Sequence, residues 1–443
     1  MLLFVISLLS AQSALAAIDS PNVAFKWKQV DFDYPTTQDR WDATNSKQFI
    51  PENNIPLGLE VYGDRIFITV PRWKEGVAAS LVYINKTDRQ DSPILHPYPN
   101  WEAHNQNVPD PQIVSPFRMR ADNCGRLWVM DTGKTNILNS SSPVVKPKLL
   151  IFNLNTDKLI RSYTIPDDQL HEDNFFANIA VEESDDCDNN FAYLADLGQP
   201  ALVVYDFKNN KSWMFKHHYF NIDPLAGNMK LAGLSFQWKD GIFGLSLSDK
   251  DAEGYSTLYF HPMTSFNEFN VSTKVLKNET LSKNPQEAKD FFKLLGTRGQ
   301  RSQSGASFLH KKTGVLFYSL VQLNAVLCWR TSLSNYTMES QGRVFMNDEV
   351  MVFPNDIKVD ANDILWVLTD KLPIFLYDYP NFREYNFHII NATVKEAIKG
   401  TPCDTKIHVD MNIMKNITGA GGVMVRSEVY LLSLIFLVIA AAV

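Results

Sequence analysis

The chain has 443 residues, of which 45% are hydrophobic and 12% aromatic, the composition of an ordinary globular protein. Its formal net charge of -7 argues against a nucleic-acid partner and suits a cationic small molecule better than an anion. Length alone suggests about three domains, an expectation that an internal repeat overturns.

Residues 1–16 form an apolar run that ends in Ala14-Leu15-Ala16, the small-x-small pattern of a signal-peptide cleavage site, so the mature chain is expected to begin at Ala17. Beyond it one unit recurs: an apolar strand, a polar turn and a second apolar strand ending in a small or polar residue. Its copies are Gly58–Thr69, Phe117–Asp131, Asn178–Asp196, Gly233–Ser246, Ala306–Ser319 and Asp356–Asp370. Each is followed by a third short apolar strand, at Ala79–Ile84, Lys148–Phe152, Ala201–Tyr205, Ser256–Phe260, Asn324–Trp329 and Pro373–Tyr377. Alternating segments such as Arg161–Ile165 and Trp213–Phe215 supply a fourth. Six such units predict an all-β fold, a six-bladed β-propeller with a central ligand channel, spanning residues 25–410. A pair of β-sandwiches would not repeat one hairpin so evenly. Asn284–Leu295 carries apolar residues at helical spacing after a proline and reads as a short surface helix in the connection from the fourth to the fifth blade.

The C-terminal end divides into a tail, residues 411–428, and an apolar run, residues 429–443. Fifteen helical residues reach only about 22 Å, short of the roughly 30 Å hydrocarbon core. The small residues Gly419-Ala-Gly-Gly422 upstream instead resemble a lipid-anchor (GPI) signal, so membrane attachment through the C-terminus is expected.

Eight sequons, at Asn85, Asn139, Asn210, Asn270, Asn278, Asn335, Asn391 and Asn416, fit a secreted glycoprotein. Four cysteines in an oxidising compartment read as two disulfides, since none has the spacing of a zinc site. Cys124 and Cys187 fall in the same turn of neighbouring repeats and are placed to pair. That leaves Cys328 with Cys403, a staple holding the tail to the ring.

The segments Ser115–Gly133, Tyr193-Leu-Ala-Asp-Leu-Gly198 and Pro354-Asn-Asp-Ile-Lys-Val-Asp360 resemble motifs of the insect yellow and major royal jelly protein family, and the resemblance covers roughly Phe25 to Asp410. It implies a six-bladed propeller with an axial ligand cavity and two disulfides. It also implies roles ranging from cuticle pigmentation and melanin chemistry to nutrition and the scavenging of biogenic amines in saliva. In the salivary amine binders the ligand lies near the last blade's Leu-Ser-Asn-Arg-Phe segment, which matches Leu368–Leu372 here, with Asp370 in place of the Asn and Leu372 in place of the aromatic.

In a propeller hairpin the start of the first strand and the end of the second share one end, so the channel mouth is expected to gather Pro56 and Gly58 with Thr69, Phe117 with Asp131, Asn178 with Asp196, Gly233 with Ser246, Ser304 with Ser319, and Asn355 and Asp356 with Asp370. Asp370 and Asn355 are the expected polar anchors for a small aromatic amine or catechol, Asp356, Asp131, Asp196 and Asn178 their neighbours, and Phe117, Phe176 and Phe236 the aromatic walls. A strand-ending Asp also has a plain structural use, capping backbone N–H groups of the next turn. No hydrolase, nucleotide or dinucleotide motif is present, and no cofactor or metal is expected; His217-His218 on a strand would point to opposite faces. The resemblance implies three candidate roles: a binding protein of pigment chemistry, a dopachrome-converting isomerase that needs only an acid and a base, or a non-catalytic structural or signalling protein of cuticle.

Overall fold

The computed structural model describes residues 21–138, 142–333 and 335–405. Six four-stranded antiparallel sheets are arranged as blades, and their inner strands contact one another in ring order, the sixth against the first. Counting outward from the axis, blade one is Gly58–Tyr62, Arg65–Thr69, Leu81–Asn85 and His96–Pro97. Blade two is Pro116–Ala121, Arg126–Asp131, Lys148–Asn153 and Lys158–Thr164, and blade three is Phe176–Glu182, Phe191–Asp196, Ala201–Asp206 and Lys211–Phe215. Blade four is Ile242–Leu247, Thr257–Pro262, Asn267–Ser272 and Lys293–Thr297, and blade five is Ser307–His310, Val315–Leu320, Ala325–Arg330 and Gln341–Met346. Blade six takes Pro354–Val359, Ile364–Thr369 and Phe387–Thr393 from the end of the chain and closes on Asn22–Trp27 from its beginning. That pairing removes the two free edges an open ring would leave.

The middle strands are apolar on both faces because each sheet is covered on both sides by its neighbours. Leu149, Leu150 and Ile151 are all fully buried, as are Leu202, Val203 and Val204. Both disulfides form as expected, Cys124 with Cys187 across neighbouring blades and Cys328 with Cys403.

Three readings are corrected. Leu234–Gln237 is not the inner strand of blade four but pairs with Asn228–Leu231 in a separate hairpin, turned at Ala232-Gly233, between blades three and four. The inner strand is Ile242–Leu247, so Gly233 and Ser246 do not share the mouth. Pro373–Tyr377 lies in a short helix, Leu372–Tyr377, with the proline in its first turn, where the missing N–H costs nothing. The helical segment after Asn284 exists, at Pro285–Ala288, but lies inside blade four between its third and fourth strands. A further helix, Thr37–Asn45, carries no apolar stripe. Its one sequence signal is the Thr36 cap, which accepts from Asp39 N.

Blades four and five are bolted together by His261, whose ring nitrogens face Glu268 Oε2 at 2.9 Å and Gly305 O at 2.8 Å. Arg298 Nη1 reaches the same carboxylate at 2.7 Å. The ring lies on Gly244, where an added Cβ would sit 2.1 Å from His261 Nε2. Gly244→Ala is therefore expected to cost about 1–3 kcal/mol by overpacking, read as a lowered thermal midpoint. An unchanged midpoint would mean the ring moves aside freely.

Candidate functional site

Four inner strands carry a β-bulge near their first residues, between Pro116 and Arg118, Phe176 and Asn178, Ile242 and Gly244, and Pro354 and Asp356. A bulge adds one residue and re-aims it. Here the extra residues are Phe117, Ala177, Phe243 and Asn355, and Phe117, Phe243 and Asn355 line an axial cavity of about 900 Å³. The cavity is strongly aromatic: Trp73, Phe117, Phe175, Trp238, Phe243, Phe353 and Tyr377 all face it. Trp73 stacks on Phe117 at 5.4 Å, and Phe117 meets Phe175 and Phe243 edge-on at 5.6 and 6.1 Å. On the opposite side Trp238 packs 6.0 Å from Phe353. Phe236 lies 5.2 Å from Tyr377, so the hairpin Asn228–Gln237 reaches across to the helix Leu372–Tyr377 at the mouth.

Arg118 closes the floor. It is fully buried, donates to Leu57 O, to Asn355 O at 2.8 Å and to Asn355 Oδ1, and its Nε lies 3.6 Å from Asp356 Oδ2. Burial pushes its pKa down, against the pull of Asp356 and Asp370. Asp356 also accepts from Leu59 N and Ile357 N, each at 2.8 Å, and from Lys358 Nζ at 2.7 Å. Below this knot a small cavity of about 50 Å³ opens toward the other end of the axis, lined by Asn178, Ser246, Asp356 and Lys358 among others. The structure therefore puts Asn178 and Asp356 beneath the floor. Asn178 donates to Phe243 O at 2.7 Å and accepts from Ile179 N at 2.8 Å.

Asp131, Asp196 and Asp370 have the same local job at three blades. Asp131 accepts from Val114, Ser115 and Gly133 N–H groups at 2.6–2.9 Å, and Asp196 from Phe175, Gly198 and Gln199 at 2.7–3.2 Å. Asp370 accepts from Leu372 N at 3.1 Å and from the Asn355 amide. Burial raises Asp196 to about 6 and Asp370 well above the usual carboxylate range. None of the three is among the residues lining the axial cavity; Asp370 touches it through Asn355 and Leu372. Phe176 is fully buried between blades, and its neighbour Phe175 takes the wall position.

The acidic group that does line the cavity is Asp240, a residue that sequence reasoning assigned to a hairpin turn. It sits in the link from the Asn228–Gln237 hairpin to the inner strand of blade four, its carbonyl accepting from Thr264 N at 3.1 Å. Next to it, Gly241 is packed so closely on Pro200 and Phe220 O that any side chain would collide. Burial pushes the Asp240 carboxyl up to about 6, opposed by contact with Trp238 and by the charge of Lys239. Its own charge in turn helps to raise Tyr377, after burial, which is the larger cause. A carboxylate in a sheath of aromatic faces suits a cation that also carries a ring. Among the described residues no cluster of side chains is arranged to hold a metal ion.

The family model described as major royal jelly protein matches residues 114–403. Protein yellow of Drosophila melanogaster is 39% identical over 386 residues, 86% of this chain and 70% of that protein. Protein yellow of Drosophila subobscura is 39% identical over 402 residues, 89% of this chain and 70% of that protein. Among solved structures, a luciferin-regenerating enzyme aligns over 79% of this chain and 93% of its own at 9% identity with a TM-score of 0.45. The blade count rests on the sheets themselves, and on the sequence matches the chain belongs to the major royal jelly protein family.

Proposed function

We propose that the axial cavity binds a small aromatic amine or catechol, and that the protein serves extracellular pigment chemistry of the melanin type. The observation that carries this reading is the half-buried carboxylate of Asp240 on a cavity with seven aromatic side chains in its wall. The ammonium pairs with Asp240, the ligand ring lies against Trp73 and Phe117, and Asn355, whose amide is fixed between Arg118 and Asp370, meets a hydroxyl. Similarity to Protein yellow supports the pigment setting.

A second reading has an observation of its own. A carboxyl at about 6 is near the optimum for taking a proton from a ring carbon and returning one at neutral pH, which is what dopachrome isomerisation requires. Titration calorimetry with dopamine, serotonin and a dopachrome analogue tests the binding reading, which expects saturable heat from at least one amine; silence with all of them would leave a structural role. Dopachrome decolouration faster than a buffer blank would add the catalytic reading.

Secretion, glycosylation and lipid anchoring belong to the same proposal. Asn210, Asn278 and Asn335 are exposed, and Asn85, Asn270 and Asn391 are half-buried on the blades, while Asn139 and Asn416 lie outside the described residues. So do residues 1–16, 411–428 and 429–443. Among the described residues no helix is long and apolar enough to cross a membrane.

A further inference from the structure

A second concavity, of about 830 Å³, lies on the flank of the ring between the helix Thr37–Asn45, the loop after blade one and the hairpin turn at Asn136. The axial site makes no use of it. One wall is an aromatic pair: Tyr34 and Trp101 stack with centroids 4.7 Å apart and planes 30° apart. Trp101 is held in place by its Nε1 donating to Asp33 O at 3.0 Å, and the Tyr34 hydroxyl is buried with no hydrogen-bond partner.

Part of the remaining lining is planar and neutral. The side chains of Gln48, Asn107 and Asn136 line the groove without a hydrogen bond to any described residue, and Asn105 uses only its Oδ1, accepting from Asn107 N at 2.9 Å. The cations at the groove are already spent on the protein. Arg72 donates to Val77 O, Ser80 Oγ and Ala78 O, and Lys74 Nζ to Phe375 O at 3.0 Å. Asp39 and Asp42, on the helix, supply acceptors at the edge.

Unused amides offer paired donors and acceptors, carboxylates accept hydroxyl protons, and an aromatic face takes an apolar C–H surface. A phosphate or carboxylate ligand would face Asp39, Asp42 and Glu75, with Lys74, itself tied to Phe375 O, as the cation beside a fully bonded Arg72. A pyranose has hydroxyls on its rim and C–H groups on its face, which matches all three features, and the volume lies within the range of small-molecule sites. We propose that this groove is a second binding site, for a neutral oligosaccharide.

Saturation-transfer NMR and calorimetry on the full secreted protein, with tri-N-acetylchitotriose, cellotriose and maltotriose as probes, test it. At least one trisaccharide should bind. Asn107→Ala combined with Gln48→Ala, both exposed positions, should weaken it about tenfold, the loss of one or two hydrogen bonds, with dopamine binding unchanged. Trp101→Ala should abolish it, with thermal unfolding confirming that the variant folds. The same titrations on enzymatically deglycosylated protein cover the case in which the protein's own glycans compete; binding that emerges only there supports the groove. No binding of any trisaccharide in either sample, or binding indifferent to the amide substitutions, would overturn the proposal.

Discussion

Arg118→Met should destabilise the protein by about 3–5 kcal/mol, the usual result of removing one partner from a buried ion pair. Arg118 is wholly enclosed and holds Leu57 O, both oxygens of Asn355, and the Asp356 carboxylate. Methionine keeps most of the stem but leaves those oxygens without their donor. Asp356 would retain Lys358 and two backbone N–H groups, so its charge is only partly orphaned. The double variant Arg118→Met/Asp356→Asn should therefore recover part of the loss, a coupling that a double-mutant cycle in urea would measure. A single-variant loss under about 1 kcal/mol would show that the floor is not held by this guanidinium.

Asp240→Asn should move binding and stability in opposite directions. Burial raises the carboxyl from 3.8 to about 6, so the folded chain binds this proton more readily than the unfolded chain does. Ionised Asp240 consequently opposes folding above about pH 6, and that opposition fades as the pH falls toward 4. Asparagine removes it, so the variant's thermal midpoint should rise at about pH 7.5 and match wild type near pH 3.5. Amine affinity should drop roughly thirtyfold at neutral pH, the equivalent of about 2 kcal/mol for a hydrogen bond to a charged group. Wild-type affinity should itself decline as the pH drops through 6 while the variant's stays flat. An Asn variant that binds amines as tightly as wild type would remove Asp240 from the site, whatever its effect on melting.

The repeat was readable because an inner hairpin must be apolar on both faces and turn sharply, a pattern evident at Gly58–Thr69, Phe117–Asp131 and Asp356–Asp370. It misled where another hairpin copied it: Leu234–Gln237 is as strand-like as any inner strand, and only the pairing with Asn228–Leu231 shows which turn is used. The run Pro373–Tyr377 has the composition of a third strand, yet Phe387–Thr393 occupies that place. The site was harder to read. Phe117 and Asn355 were legible from their blade position. Single-residue bulges, however, decide whether Phe175 or Phe176 faces the cavity, and no local pattern announces a bulge. Asp240 escaped because its aromatic companions come from two inner strands, four connecting loops and the helix Leu372–Tyr377.

Asn22 donates to Asn391, a partner 369 residues away, in the sheet that closes the ring. A ribosome making about 5–20 residues per second needs roughly 20–70 s to span that interval. Throughout that time Asn22–Trp27 has only the backbone bonds of Lys26 with Gln90 and Ser92, and the first blade has a bare flank. A nonsense codon anywhere before Phe387 would thus disable both ends of the molecule at once, since the lost strand is the ladder partner of Asn22–Trp27. Cellular quality control would meet a chain whose beginning reports whether its end was ever made.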